Sequence, residues 1–135
     1  MYLLDTNVIS ELRKKKPHGA VTAWLEMARA EDIRIPAVVF GEMQYGVELT
    51  RRQDPQKAAE IERWIDRITL AFVIVPMDAA TFREWARLMH SRSDDLTADA
   101  MIAATARIHN MVVVTRNVND FASFGVRVLD PFSSK

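Results

Sequence analysis

Cysteine is absent from this sequence. That excludes a disulfide framework and a thiolate metal site, and it suits a reducing compartment. Net charge is absent as well. The 18 basic side chains balance 18 acidic ones, whereas a protein that coats nucleic acid is ordinarily basic. Glycine is scarce, and none of the four residues belongs to a phosphate-cradling loop. Apolar runs such as Phe72–Val75 and Met111–Val114 fall far short of the ~20 residues a membrane span requires. The N-terminus opens on Tyr2-Leu3-Leu4-Asp5 with neither a basic leader nor a signal-like apolar segment, so a mature cytoplasmic start is expected. His18, His90 and His109 show no paired spacing, which argues against zinc. No nucleophile motif supports a Ser-His-Asp triad.

What is present fits one domain over residues 1–135, with 49% apolar residues to fill a core. Short β-rich runs alternate with helical ones. Tyr2–Leu4 reads as a strand ending in Asp5, after which Thr6 or Asn7 caps a short helix running to the Lys14–Lys16 block and Pro17. Val21, Trp24, Leu25 and Ala28 form an amphipathic stripe, and Ile33–Ile35 reads as a strand stopped by Pro36. Phe40, Met43 and Val47 share a helical stripe, as do Ala58, Ile61, Ile65 and Ile68 after Pro55. Phe72–Val75 reads as a strand buried on both faces. Asp78 is expected to cap a helix bearing Phe82, Trp85, Ala86 and Met89, and Thr97 to cap an Ala-rich helix reaching His109. Met111–Thr115 is the clearest strand, and Val126–Leu129 an edge-like last one. The expectation is an α/β fold with a mostly parallel central sheet of about five strands and helices on both faces.

In such sheets ligands gather at the carboxyl ends of the strands, near the switch in strand order. Asp5 lies at such an end, although for an aspartate taken alone a capping or turn-forming role is the commoner explanation. Asp99 lies in the first turn of the Ala-rich helix, where the dipole alone favours a carboxylate. Glu42 sits in the apolar stretch Ala37–Met43, where a carboxylate needs a partner or a cation. Beyond the clearest strand, either Asn117 or Asp120 is placed to face the same site, unless the segment is a loop of Asx turns. Oxygen ligands of this kind suit Mg²⁺ or Mn²⁺, which polarise a phosphodiester and acidify water. Arg116, next to Asn117, is the expected phosphate guide. The basic blocks Arg13–Lys16 and Arg51-Arg52 read first as solvated helix ends.

Four elements carry a family resemblance: Leu4-Asp5-Thr6-Asn7 with Ile9-Ser10-Glu11-Leu12, Gly41-Glu42 with Gly46, Asp99–Ala106, and Thr115-Arg116-Asn117 with Asp120-Phe121. In that order, and with the closing Val128–Phe132, the chain resembles the PIN-domain toxins of the VapC type, including the FitB-like subgroup. The resemblance implies a PIN-like fold and a metal-dependent endoribonuclease using Mg²⁺, for which Mn²⁺ substitutes. It also implies a homodimer restrained by a cognate VapB-like antitoxin, with DNA reached only through that antitoxin. By position Asp5, Glu42 and Asp99 match the family's acidic core and its metal ligands. Many relatives carry aspartate where this chain has Asn117, so the resemblance leaves the fourth place between Asn117 and Asp120. Thr6 matches a small polar residue that hydrogen-bonds a ligand or caps the helix.

Rival readings fare worse. A haloacid-dehalogenase phosphotransferase needs a second aspartate two residues after the first, where Asn7 stands. A receiver domain needs a late lysine, and none lies between Lys57 and Lys135. The remaining alternative is a non-catalytic PIN-like module acting within an antitoxin–DNA complex. Among Trp24, Phe40, Tyr45, Trp64 and Trp85, most fit core stripes, while Tyr45 and Trp64 lie off them and are expected at an interface.

Overall fold

The computed structural model describes residues 1–133. Five strands, β1 (Tyr2–Leu4), β2 (Ile33–Pro36), β3 (Val73–Val75), β4 (Val112–Val114) and β5 (Val128–Leu129), form one sheet in the order β3-β2-β1-β4-β5. Every pairing is parallel. Seven α-helices make the connections among the described residues: α1 (Thr6–Ile9), α2 (Gly19–Met27), α3 (Ala37–Arg51), α4 (Pro55–Ala71), α5 (Ala79–Met89), α6 (Thr97–His109) and α7 (Val118–Ala122). None is long and apolar enough to cross a membrane. Parallel pairing demands such crossovers, so the alternating pattern of the sequence becomes an α/β fold with β1 at its centre.

The core runs along both sides of β1. Leu3, Leu4, Val8, Ile9, Ile35, Val39, Ile102, Val113, Val114 and Phe121 are fully withdrawn from water. At ~25 cal/mol per Å², burial on this scale is the main force holding the sheet and its helices together. The Ala-rich character of α6 has a packing reason. Ala100, Ala103, Ala104 and Ala106 are all buried, and small side chains let the helix approach its neighbours closely.

Several sequence expectations are corrected. β3 is an edge strand, and Val73 is 55% exposed, so Phe72–Val75 is not buried on both faces. A run's hydrophobicity reports burial but not strand order. Neither Thr6 nor Asn7 caps α1; Asp5 does, accepting a 2.7 Å hydrogen bond from the Thr6 amide. That helix is a single turn followed by a 3-10 turn over Ser10–Arg13. Thr97 is not a cap but the first residue of α6, with its hydroxyl donating to the Asp94 carbonyl at 2.6 Å. Asp78 does cap α5, through the Thr81 amide and hydroxyl. The stretch after β4 contains a helix, α7, rather than only Asx turns.

Candidate active site

The topological switch lies between β1 and β4, because the chain adds β2 and β3 on one side of β1 and β4 and β5 on the other. Asp5 ends β1 and Thr115 follows β4, so the two meet at the carboxyl edge of adjacent strands. The Asp5 amide continues the ladder to the Val114 carbonyl at 3.0 Å. Asp5 is only 5% exposed, and both carboxylate oxygens are held. Oδ1 accepts the Thr6 amide. Oδ2 accepts the Thr115 hydroxyl at 2.7 Å and the Asn7 side-chain amide at 3.3 Å. Burial raises the Asp5 pKa, and the Thr115 and Thr6 hydrogen bonds oppose that rise.

Glu42 reaches this centre from the second turn of α3. The residue as a whole is exposed, but its carboxylate accepts the Thr6 hydroxyl at 2.9 Å. Thr6 is thus a bridge between the first carboxylate and the second. The Glu42 pKa is raised by desolvation, against the Thr6 hydrogen bond, with added repulsion from Asp5. Asp99, in the first turn of α6, is partly buried, and its pKa is pushed up to about 6. Desolvation is the largest cause, followed by the negative charges of Asp5, Asp120 and Glu42. Three carboxylates therefore stand within electrostatic reach of Asp99.

Among the described residues, no three acidic or histidine side chains enclose an ion between themselves. Mg²⁺ does not ask for such a cage. It keeps several waters and is bound through one or two carboxylates. An all-oxygen set in which neighbouring carboxylates raise the pKa of Asp99 and of Glu42 fits a hard divalent cation, because the cation relieves that repulsion.

The fourth place is filled unequally. Asp120, in the first turn of α7, acts electrostatically on Asp99. Asn117 precedes the same helix and is exposed; its backbone amide, not its side chain, donates to the Thr115 hydroxyl at 3.0 Å. Arg116, the expected phosphate guide, is exposed beside the site. Its guanidinium lies 3.7 Å above the Phe132 ring, and its charge acts on Glu11 rather than on any of the clustered acids. Glu11 itself is buried outside the cluster, accepting from Lys14 and from the His18 amide.

Sequence reasoning missed Thr115 and Asn7 as site residues. Thr115 accepts from Asn7 and Asn117 while donating to Asp5, and Asn7 also accepts from the Arg116 amide at 3.3 Å. The available signal was a threonine closing an otherwise all-apolar strand. Thr115→Val should leave Asp5 short of its strongest partner, cost about 1–2 kcal/mol, and raise the Asp5 pKa further. Urea unfolding and an NMR titration of Asp5 measure both effects.

A PIN domain model matches residues 2–126. The chain belongs to the PIN-domain family, of the VapC type. It is 34% identical to the VapC ribonuclease Y4jK of Sinorhizobium fredii, over 98% of each chain. It is 33% identical to toxin FitB of Neisseria gonorrhoeae, over 98% of this chain and 99% of that one. The crystal structure of FitAcB from the same organism superimposes with a TM-score of 0.85 at 32% identity, covering 98% of this chain and 99% of its own. A structure of FitAB bound to a DNA fragment reaches 0.86 at 33% identity, covering 100% of this chain and 98% of that one. Within this PIN domain, the acidic cluster occupies the sheet edge where α/β folds hold their ligands.

Proposed function

We propose that this chain is the toxin of a two-component toxin–antitoxin pair, an endoribonuclease that hydrolyses RNA phosphodiester bonds with Mg²⁺. The observation that carries this reading is the gathering of Asp5, Glu42 and Asp120 around Asp99, whose pKa is pushed up to about 6 by burial first and then by their three negative charges. The ribonuclease named among its relatives supplies the substrate class. Asp5 and Asp99 would hold the cation, with Glu42 beside them. When bound, a hard divalent cation supplies Lewis acidity toward a phosphoryl oxygen and acidifies water.

The protein's own residues do the rest. Thr115 and Thr6 fix Asp5, and Thr6 also fixes Glu42, so the carboxylates are oriented before substrate arrives. Glu42, held on the Thr6 hydroxyl beside the cation's two ligands, accepts the proton of the attacking water. The water oxygen bonds to phosphorus as the bridging P–O bond breaks, and the proton taken up by Glu42 passes to the leaving oxygen. Asp120 supplies the fourth negative group.

The partners follow the same reading. A small VapB-like antitoxin would inhibit the enzyme by placing a cation against these carboxylates, and DNA would be contacted through it, as the FitAB–DNA structure suggests by analogy. A homodimer is proposed as well. Tyr45 is 69% exposed beside Val38 and Met101, where an aromatic anchor suits a protein interface.

The test is RNA cleavage by the purified chain, freed of any antitoxin, across a magnesium titration. Cleavage should require the metal. Asp120→Asn should lower the rate about tenfold or more, equivalent to ~1.4 kcal/mol of barrier, while Asn117→Ala should keep most of it. Near-wild-type rates in both variants would remove the fourth position from the chemistry. DNA binding with the partner, without cleavage by the chain under any metal condition, would favour the non-catalytic module instead.

A further inference from the structure

A second cleft, of about 470 Å³, opens between the Ser10–Arg13 turn with its lysines and α4. Arg13, Lys14 and Lys15 line one side and Lys57 and Arg67 the other, with Glu60 the one acid among the lining residues. Lys14 is engaged by Glu11. The other four cations form no ion pair among the described residues. Gathered cations repel one another, so a cleft of this kind is favourable only toward an external anion. Nor is its frame a loose tail. Buried Glu11 ties Lys14 to the His18 amide, and Lys57, Trp64 and Arg67 fall on one face of α4 by their spacing.

The cleft is not isolated. Arg13, Ile61 and Trp64 also line the groove that contains Thr6 and Glu42, so the basic cleft shares a wall with this acidic groove, whose one lining carboxylate, Glu42, stands at the edge of the cluster. Trp64 is half-buried against the core, which holds its ring in place along this path.

We infer that the cleft anchors the RNA strand beyond the scissile phosphodiester, its cations taking backbone phosphates and Trp64 offering a face to a base. This rests on the nuclease reading above and adds where the rest of the strand lies. A catalytic centre made of carboxylates repels a polyanion, so affinity must come from cations placed along the same path. With Arg116 stacked on Phe132, this cluster is the one adjoining the acidic groove. Alternating phosphate cations and an aromatic face is the usual arrangement for single-stranded nucleic acid. A protein partner would find less here, since Leu12, Ile61 and Trp64 are the apolar minority beside Arg13, Lys14, Lys15, Lys57 and Arg67.

The experiment compares wild type with Lys15→Ala/Lys57→Ala/Arg67→Ala, whose side chains are all exposed and leave the core untouched. Fluorescence anisotropy reads the binding of single-stranded RNAs of about 12 and about 4 nucleotides, lengths within the range of single-strand site sizes. The triple variant should bind the long RNA roughly 30-fold more weakly. Its slope of log affinity against log salt should fall by about 2, from ~0.7 per lost phosphate contact. The short RNA, which fits the acidic groove alone, should change by less than about threefold. RNA should also quench tryptophan emission in wild type, and the quench should shrink in Trp64→Phe.

Equal losses for both lengths, or an unchanged affinity and salt slope, would overturn the anchor. Loss of antitoxin binding with RNA binding intact would also overturn it and assign the cleft to the protein partner. Because anisotropy needs no cleavage, length-dependent binding by a chain that cuts no RNA would support the anchor while sinking the nuclease reading.

Discussion

Asp99→Asn should abolish most RNA cleavage, lowering kcat/KM by about 10²–10⁴-fold, which matches the several kcal/mol that a held cation supplies. The substitution keeps size and shape while removing both the charge and one of the oxygens that would hold the cation. Stability is the informative companion. An Asp99 carboxylate raised to about 6 is one whose ionised form the fold disfavours, by desolvation and by Asp5, Asp120 and Glu42. Neutral asparagine escapes that cost, so the variant should be as stable as wild type at pH 7, or more so. Asp5→Asn should differ. Cleavage should fall as steeply, but Asp5 caps α1 and accepts from Thr115, so stability should drop as well, by about 1–3 kcal/mol. Cleavage of a fluorescent RNA and calorimetric melting of both variants measure these outcomes together. An Asp99→Asn protein that cuts RNA at the normal rate would overturn the assignment.

The free protein should lose stability as pH rises from about 4 to 7, and Mg²⁺ should restore it. Asp99 is raised from 3.8 to about 6, so across that window the native state holds a proton that the unfolded chain has released. Stability falls with rising pH wherever the native state binds more protons. The full stabilisation is present below the unfolded pKa and lost through the folded one. Asp5 and Glu42, also raised, act in the same direction. The lowered carboxylates Glu11, Glu48, Glu62, Asp78 and Glu84 act oppositely, but below the ordinary carboxylate value of ~4. After allowance for solvent screening the Asp99 contribution is on the order of 1–2 kcal/mol. A cation at 100 times its Kd adds about 2.7 kcal/mol. The gain should be larger at pH 7.5 than at pH 5, where protons compete for the same oxygens. Thermal melts with EDTA and with Mg²⁺ at the two pH values test this. A melting temperature that rises through the window and ignores Mg²⁺ would contradict the cation-binding role.

Basicity and binding belong to different parts of the surface. Arg116, beside the site in sequence, is spent on Phe132 and on the field at Glu11. The basic run Arg13–Lys15, which alone reads as a solvated helix end, faces α4 to make one wall of a cleft. A charge run acquires a partner or an empty interior only when a distant helix closes against it. Trp64 shows the same point. It lies off the main apolar stripe of α4, and its use follows from where the Ser10–Arg13 turn packs.

The alternation of apolar strands with amphipathic helices determined an α/β fold with parallel pairing, because crossovers of that length allow little else. It also determined that Asp5 ends a strand and that Asp99 opens a helix, since both follow from local periodicity. Tertiary structure alone decided the strand order, and with it the exposure of Val73 at the β3 edge and the position of the switch between β1 and β4. It decided that Thr115 would hold Asp5 across 110 residues, and that Thr6 would join Asp5 to Glu42. It decided, too, that Asp120 rather than the Asn117 side chain would raise the pKa of Asp99. The reason is the same in each case: periodicity records which face of an element is buried, whereas the meeting of two polar groups depends on which elements pack side by side.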